Sequence, residues 1–253
     1  MTKTSSNSTV KIDANGIFYK ELNAQLRDLV ANNARKIEIT NVCGQRYIGT
    51  NLNAAVEIDL YGTPGNDLGA FMNGPRIIVH GNAQDGCGNT MNEGEIIVHG
   101  HAGDVLGMSA RGGKIFVRDS IGYRAGIHMK EYGEKKPSLV IGGTAQDFVG
   151  EYMAGGILVL LGLNLAEGEN HKAKYIAVGM HGGVIYLRGS VEPYQLGPEV
   201  GTAELDEKDN QALQALVNDY AAYFDYPADK ILNGKFIKLY PRFLRPYGRL
   251  YAY

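Results

Sequence analysis

Apolar side chains recur along the chain in short segments that are separated by a nearly constant number of residues. Each segment carries branched aliphatic residues at its second and fourth positions, and seven such segments begin at Glu57, Arg76, Glu95, Lys114, Ser138, Ile157 and Val184. The intervals between their starts are 19, 19, 19, 24, 19 and 27 residues, so insertions around residues 130–136 and 163–174 interrupt a 19-residue period. Residues two apart in a β-strand share one face. The pattern therefore predicts stacked strands that present two columns of aliphatic side chains to one core.

Glycine and proline stand at fixed offsets from these segments and indicate corners. The position seven residues before a segment is held by Gly69, Gly88, Gly107, Gly150 or Ala177, and the position just before it by Pro75, Gly94, Gly113, Pro137, Gly156 or Gly183. These residues permit unusual backbone angles and close chain approach. A strand followed by corners in every period predicts an all-β, single-stranded parallel β-helix over residues 37–200. We expect right-handed winding, because left-handed solenoids usually follow strict six-residue repeats and 19 is not a multiple of six.

The residues on either side of the repeat predict caps. The first ten residues are polar and predict a disordered tip. Residues 19–34 predict an amphipathic helix that caps the first coil with Leu22, Leu26, Leu29 and Val30. Residues 36–42 predict an irregular first strand. A second helix is predicted from the N-cap Asp206 to Phe224, with an inner face of Leu213, Leu216, Val217 and Tyr220. The chain thus divides into residues 1–36, 37–200 and 201–253.

The segment from Gly234 to the end alternates basic and aromatic residues and contains no acidic one. Its basic residues are Lys235, Lys238, Arg242, Arg245 and Arg249, and its aromatic residues include Phe236, Tyr240, Phe243, Tyr247 and Tyr251. Two prolines argue against a continuous helix. We predict that the second helix and this tail pack on or beside the β-helix, or that the tail contributes to a docking surface.

Composition narrows the class of protein. The 253 residues include 25 basic and 27 acidic side chains, a balance that gives no basis for electrostatic binding to nucleic acid or to an anionic membrane. Two cysteines are too few for a disulfide framework or a thiolate zinc site. The longest aliphatic run, Ile157–Leu161, is far shorter than a membrane span. These features predict a glycine-rich cytoplasmic protein without nucleic-acid or membrane partners.

Histidines form one candidate site. His80 and His99 occupy one column in adjacent coils, and His101 follows two residues later. Three imidazoles have the chemistry to hold zinc, but the column continues as Arg118 and the spacing places no acidic residue as a general base. We favour a surface ladder, and a histidine-ligated metalloenzyme on a β-solenoid is the alternative hypothesis.

Other chemically suggestive residues receive structural interpretations. One column of polar residues lies at the corners and contains Asn66, Asp85, Asp104 and Asp147. For these residues we favour capping of their own turns over calcium binding. A column for which core packing is favoured over cofactor contact contains Met72, Met91, Met153 and Met180. The loops GTPGNDLG and GNAQDGCG precede predicted strands and not helices, so we interpret them as corners and not as phosphate loops. Cys87 lacks a recognisable histidine partner. We therefore assign no catalytic, cofactor-binding or metal-ligating residue.

Three blocks of the sequence resemble the GXGXG β-helix family. They are GTPGNDLGAF from Gly62, AQDGCGNTMNEGEIIVHG from Ala83 and EYMAGGILVLLG from Glu151. This family occurs as the C-terminal domain of the glutamate synthase large subunit and as one of the subunits of formylmethanofuran dehydrogenase. The last block is similar to the glutamate synthase version, and the resemblance spans residues 37–189.

The resemblance implies a right-handed β-helix that holds the other parts of an amidotransferase in position. It implies a non-catalytic scaffold subunit of a glutamate synthase-type complex in nitrogen metabolism, which forms glutamate from glutamine and 2-oxoglutarate. The implied partners are a glutaminase and a synthase that contains FMN and iron–sulfur clusters, while this chain carries no cofactor. Two alternatives stay open: a formylmethanofuran dehydrogenase-like or related amine-transfer complex, and a structural homo-oligomer.

Overall fold

A computed structural model of the chain describes residues 9–243. The strands in this range are β1 (Val10–Asp13), β2 (Lys36–Cys43), β3 (Glu57–Thr63), β4 (Asn73–His80), β5 (Glu93–Val98), β6 (Lys114–Val117), β7 (Ser138–Ile141), β8 (Ala154–Leu160), β9 (Gly182–Arg188), β10 (Val200–Ala203) and β11 (Phe236–Pro241). The helices are α1 (Tyr19–Ala31), α2 (Glu207–Phe224) and α3 (Ala228–Leu232), and a 3-10 turn spans Pro193–Gln195. All the strands join one sheet in the order β1 to β9, then β11 and β10.

Strands β1 to β9 stack in parallel, with one strand from each coil. The register pairs the first residues of successive segments, from Glu57 beside Arg76 to Ile157 beside Val184. Ile77 lies beside Ile96, and both side chains are fully buried. All the aliphatic residues at the second and fourth positions of the segments are buried in the same core. The predicted parallel β-solenoid is therefore confirmed, and both insertions leave its register intact.

Each coil between β2 and β9 turns through three left-handed residues at alternate positions. In one coil Phe148, Gly150 and Tyr152 have φ angles of 66°, 70° and 50°. A Cβ atom on Gly150 would lie 2.7 Å from Cδ1 of Ile185, which belongs to the strand one coil further on. The positive φ angle and the lack of room for a Cβ atom therefore both favour glycine at the middle one of the three left-handed positions. Ala177 takes this position in the last parallel coil, with a φ angle of 57°.

The amino-terminal end of the solenoid differs in part from the prediction. Helix α1 caps the first coil as expected, because Leu22 and Leu26 join the main core. Residues 10–13, however, form strand β1 and pair with β2, so Val10, the last residue of the predicted disordered tip, belongs to the sheet. This strand has only four residues and one buried side chain, Ile12, so it is too short for an alternation of apolar and polar positions to be recognised in the sequence. Residues 1–8 of the predicted disordered tip lie outside the described range. Strand β2 is irregular as predicted, with a register shift between Ile39 and Val42.

The carboxyl-terminal region extends the sheet beyond the predicted limit at residue 200. Asp206 caps helix α2 as predicted, since its side chain accepts the backbone N–H of Asp209. The predicted non-helical tail forms strand β11, which inserts antiparallel between β9 and β10 and so covers an otherwise open sheet edge. Within residues 9–243, no helix is long and apolar enough to cross a membrane. The tail residues that fall outside this range include Arg245, Tyr247, Arg249 and Tyr251.

Candidate interaction surfaces

Helix α2 covers much of the outer face of the sheet. Side chains at the third position of each segment point away from the main core, and those buried under the helix are Ile97, Phe116, Val140, Val159 and Tyr186. They form a second apolar cluster with the predicted inner face of α2. The sequence predicted that this helix packs on or beside the β-helix, but it did not identify the face that the helix covers. The signal was present, because the third position is apolar in six of the seven segments.

Polar contacts fix both ends of α2 on the solenoid. Near its start, the hydroxyl of Tyr186 on β9 donates to Asp209 at 2.8 Å. Near its end, the hydroxyl of Tyr223 donates to Glu95 on β5 at 3.1 Å. The helix therefore runs along the stack from the last parallel strand back to the fifth. This face of the solenoid is covered by the chain itself.

The histidine column is a stacked ladder. The His80 ring lies parallel to that of Tyr61, with 4.3 Å between ring centroids, and 5.5 Å from the ring of His99. Nε2 of His80 lies 2.8 Å from the carboxylate of Asp59, so this nitrogen already has a hydrogen-bond partner. These contacts are those of a surface ladder between neighbouring coils.

The three histidines do not converge on one point. His99 meets the edge of Phe224 from α2 at 5.1 Å between ring centroids. Burial, and then the nearby charges of His80 and Arg118, lower the pKa of His99, so its ring is neutral at pH 7. His101 lies outside the ladder. In the part of the chain that the structure describes, no three His, Cys, Asp or Glu residues form a group that could hold a metal ion.

The corner aspartates join successive coils, whereas the sequence predicted that they cap their own turns. Oδ1 of Asp85 accepts the backbone N–H of Asp104 at 2.8 Å, and Oδ1 of Asp104 accepts that of Tyr123 at 2.9 Å. Oδ1 of Asp147 accepts the N–H of Lys174 at 2.8 Å. The reason is the spacing of about 4.8 Å between stacked strands, which brings the next coil within reach of a short carboxylate. Their role in the structure is to link coils.

The methionine column and Cys87 lie in the core. All four predicted methionines are buried, and the methyl group of Met153 fills space that a Cβ atom on Gly183 would occupy, at 2.7 Å. Burial raises the pKa of Cys87 to about 12, so its thiol stays protonated at neutral pH. The loops that begin at Gly62 and Gly81 lead into strands β4 and β5. These loops are corners, as predicted.

Stacked aromatic and basic side chains project from the corners of three successive coils. We define the corner surface as Arg124, His128, Phe148, Tyr152 and Tyr175, which all have left-handed backbone. The Arg124 guanidinium lies 4.7 Å from the ring centroid of Phe148, which stacks on Tyr175 at 4.8 Å. His128 stacks on Tyr152 at 5.5 Å. Tyr152 and Tyr175 are 48% and 51% exposed. Exposed tyrosine and arginine are enriched where proteins bind one another.

Both insertions in the repeat border this corner surface. Residues 130–136 follow His128 and include a bridge between Tyr132 and Lys135, and residues 163–174 immediately precede Tyr175. Insertions in repeat proteins map to loops on one face, which is often the binding face. Sequence reasoning located the insertions but not the surface. The available signal was a planar or basic residue at the outer left-handed positions of adjacent coils.

A parallel β-solenoid whose coils turn through alternating left-handed residues, with glycine at the middle one in nearly every coil, defines a class of repeat protein. The chain belongs to the GXGXG motif family, which it matches over residues 8–246. It is 48% identical over 253 residues to the uncharacterized protein MJ1350 of Methanocaldococcus jannaschii, with 96% of each chain covered. Its fold is similar to that of a chain in the formyltransferase/hydrolase complex of Methylorubrum extorquens, solved in complex with methylofuran. That comparison gives a TM-score of 0.61 and 16% identity, and covers 90% of this chain and 92% of the other.

Proposed function

We propose that this chain is a scaffold subunit of a multi-subunit amidotransferase or oxidoreductase complex, in which it positions catalytic subunits. The observation that carries the proposal is the corner surface, a half-exposed aromatic and arginine stack on a rigid solenoid, bordered by the two insertions. Membership of the GXGXG motif family supports it. The solved chain of similar fold also belongs to a complex of several subunits.

Within this class we favour a glutamate synthase-type complex that acts in the cytoplasm. The support is the resemblance carried by EYMAGGILVLLG, a block that contains Tyr152 of the corner surface. The expected partners are a glutaminase, which releases ammonia from glutamine, and a synthase that uses FMN and iron–sulfur clusters to form glutamate from 2-oxoglutarate. In this proposal the cofactors are bound by the partner subunits, and this chain holds the two catalytic subunits in a fixed relative position.

A second candidate is a subunit of a formyltransferase/hydrolase-type complex. The observation in its favour is the similarity of fold over 92% of a chain from such a complex. At 16% identity this likeness concerns the fold, so the partner proteins must decide between the two candidates.

The test is purification of the full-length tagged chain from its native host, followed by identification of the bound proteins. We expect a glutaminase and a flavin–iron–sulfur protein to co-purify with the wild-type chain. The double variant Tyr152→Ser/Tyr175→Ser removes two rings of the corner surface and should weaken partner binding by roughly tenfold or more. The matched control is Tyr61→Ser, which removes a 42% exposed ring outside this surface and should retain the partners.

Each other outcome has a defined meaning. Recovery of formyltransferase and hydrolase subunits would favour the second candidate. A partner-free chain, or an assembly of this chain alone, would contradict the scaffold role. Equal partner binding by both tyrosine variants would show that the corner surface is not the docking site.

A further inference from the structure

A pocket lies where the end of α2 meets the carboxyl ends of strands β5 to β8. Its volume is about 430 Å³, within the range of roughly 300–1,000 Å³ typical of small-molecule sites. Its charged and aromatic lining residues are His101, Arg118, Asp119, Tyr220, Phe224 and Tyr226. The corner surface and the scaffold role make no use of this pocket.

Arg118 and Asp119 form an ion pair in this lining, and His101 lies beside it. The guanidinium of Arg118 donates to Asp119 twice, from Nε to Oδ1 at 3.1 Å and from Nη2 to Oδ2 at 2.9 Å. Nε2 of His101 lies 3.9 Å from the same carboxylate. Nδ1 of His101 lies 3.3 Å from the carbonyl oxygen of Ser120, which can only accept, so this nitrogen carries a proton. The hydrogen bond from Arg118 holds the pKa of Asp119 below its usual range, so the carboxylate is ionised at pH 7.

Such an ion pair favours a ligand that carries both signs of charge. A ligand with one negative charge is attracted by Arg118 but repelled by Asp119, and a ligand with one positive charge meets the reverse. A zwitterion can place its carboxylate beside Nη1 of Arg118, which does not bond to Asp119, and its ammonium beside Asp119. Helix α2 ends at Phe224, and the partial negative charge of a helix carboxyl end also favours an ammonium group.

The rest of the lining contains three aromatic residues at the end of helix α2, together with glycine, leucine and small polar residues. The hydroxyl of Tyr220 donates to the backbone carbonyl of Arg118 at 2.9 Å. A Cβ atom on Gly142 would overlap both of these oxygens, so this lining position has no room for a side chain. Phe224 and Tyr226 add ring surface that suits an apolar group.

We propose that this pocket binds a free α-amino acid with an apolar side chain. Its carboxylate lies against Arg118, its ammonium against Asp119, and its side chain against Phe224 and Tyr226. This inference does not rest on the scaffold proposal, since the pocket is formed by this chain alone.

The test is calorimetric titration of the purified full chain with three probes of similar shape. L-phenylalanine carries both charges, 3-phenylpropionate only the negative one and 2-phenylethylamine only the positive one. We expect saturable binding of L-phenylalanine, and binding roughly tenfold or more weaker for the other two, because each lacks one charge-assisted contact. L-alanine should bind more weakly than L-phenylalanine because it lacks the ring.

Variants assign the binding to this pocket. Asp119→Asn and Arg118→Gln should each weaken binding of L-phenylalanine by roughly tenfold or more. Arg124→Gln, a matched change at an exposed arginine outside the pocket, should leave it unchanged. Circular dichroism of each variant checks that the fold is intact. Failure of both amino acids to bind, equal affinity for the three phenyl probes, or unchanged binding in a folded Asp119→Asn variant would overturn the proposal. Because this assay uses the isolated chain, its failure would not affect the scaffold proposal.

Discussion

One added methyl group at Gly150 should destabilise the solenoid strongly. The residue has a φ angle of 70°, and a left-handed conformation costs alanine about 1–2 kcal/mol. The new Cβ atom would also lie 2.7 Å from Cδ1 of the fully buried Ile185, and such overpacking costs about 1–3 kcal/mol. We therefore expect Gly150→Ala to lower the free energy of unfolding by about 2–5 kcal/mol, a large fraction of the roughly 5–15 kcal/mol typical of a domain.

Urea denaturation followed by circular dichroism measures this cost, and two controls separate its parts. Gly168 also has a positive φ angle, 79°, but a Cβ atom there meets nothing within 4 Å, so Gly168→Ala carries only the conformational part. Ile185→Val removes the crowded methyl group, and the double variant with Gly150→Ala should show a favourable coupling of about 1–2 kcal/mol. Equal costs for the two alanine variants, together with no coupling, would refute the packing argument.

Three further predictions concern single buried groups. Burial lowers the pKa of His171, whose Nε2 donates to the carbonyl oxygen of Arg188. The unfolded state therefore binds a proton at this ring more tightly than the folded state does. The free energy of unfolding should consequently fall as the pH drops below about 6.5. His171→Gln keeps a donor and should flatten this dependence between pH 7.5 and 5, measured as the free energy of unfolding. At pH 8 a thiol reagent should modify exposed Cys43 in the folded protein but reach Cys87 only after unfolding, as peptide mapping would show. Tyr220→Phe removes a hydrogen bond to the solenoid backbone and should lower the free energy of unfolding by about 1 kcal/mol in urea denaturation.

The solenoid was predictable because each coil repeats the same local requirements. The period fixes which residues stack, so the pairing of Ile77 with Ile96 follows from counting along the chain. Helix α2 was predictable for a similar reason, since its N-cap Asp206 and its apolar stripe are both local signals. The stacking of His80 on His99 also follows from their common column.

Features that depend on contacts between distant parts of the chain were not predictable in the same way. Strand β11 pairs with β9, whose edge would otherwise have unpaired backbone groups at the end of the stack. The residues around Phe236 carry no local pattern that indicates this pairing. The pocket brings residues near Arg118 together with the end of a helix about a hundred positions later. The corner aspartates were assigned to the wrong turn because a spacing in sequence cannot distinguish a bond within one coil from a bond to the next.

The side chains of the corner surface are not needed by the solenoid itself. The corresponding corner of an earlier coil uses Gly86 and Thr90 at the same outer positions and stacks in the same register. A non-glycine residue in left-handed backbone costs about 1–2 kcal/mol, whereas an exposed cation–π contact such as that of Arg124 on Phe148 contributes only about 0.5–1 kcal/mol. The register of the solenoid therefore does not account for placing these rings on neighbouring coils beside both insertions. Burial of the same rings by a partner subunit would account for it, and the loss of that partner in the tyrosine double variant is the measurable consequence.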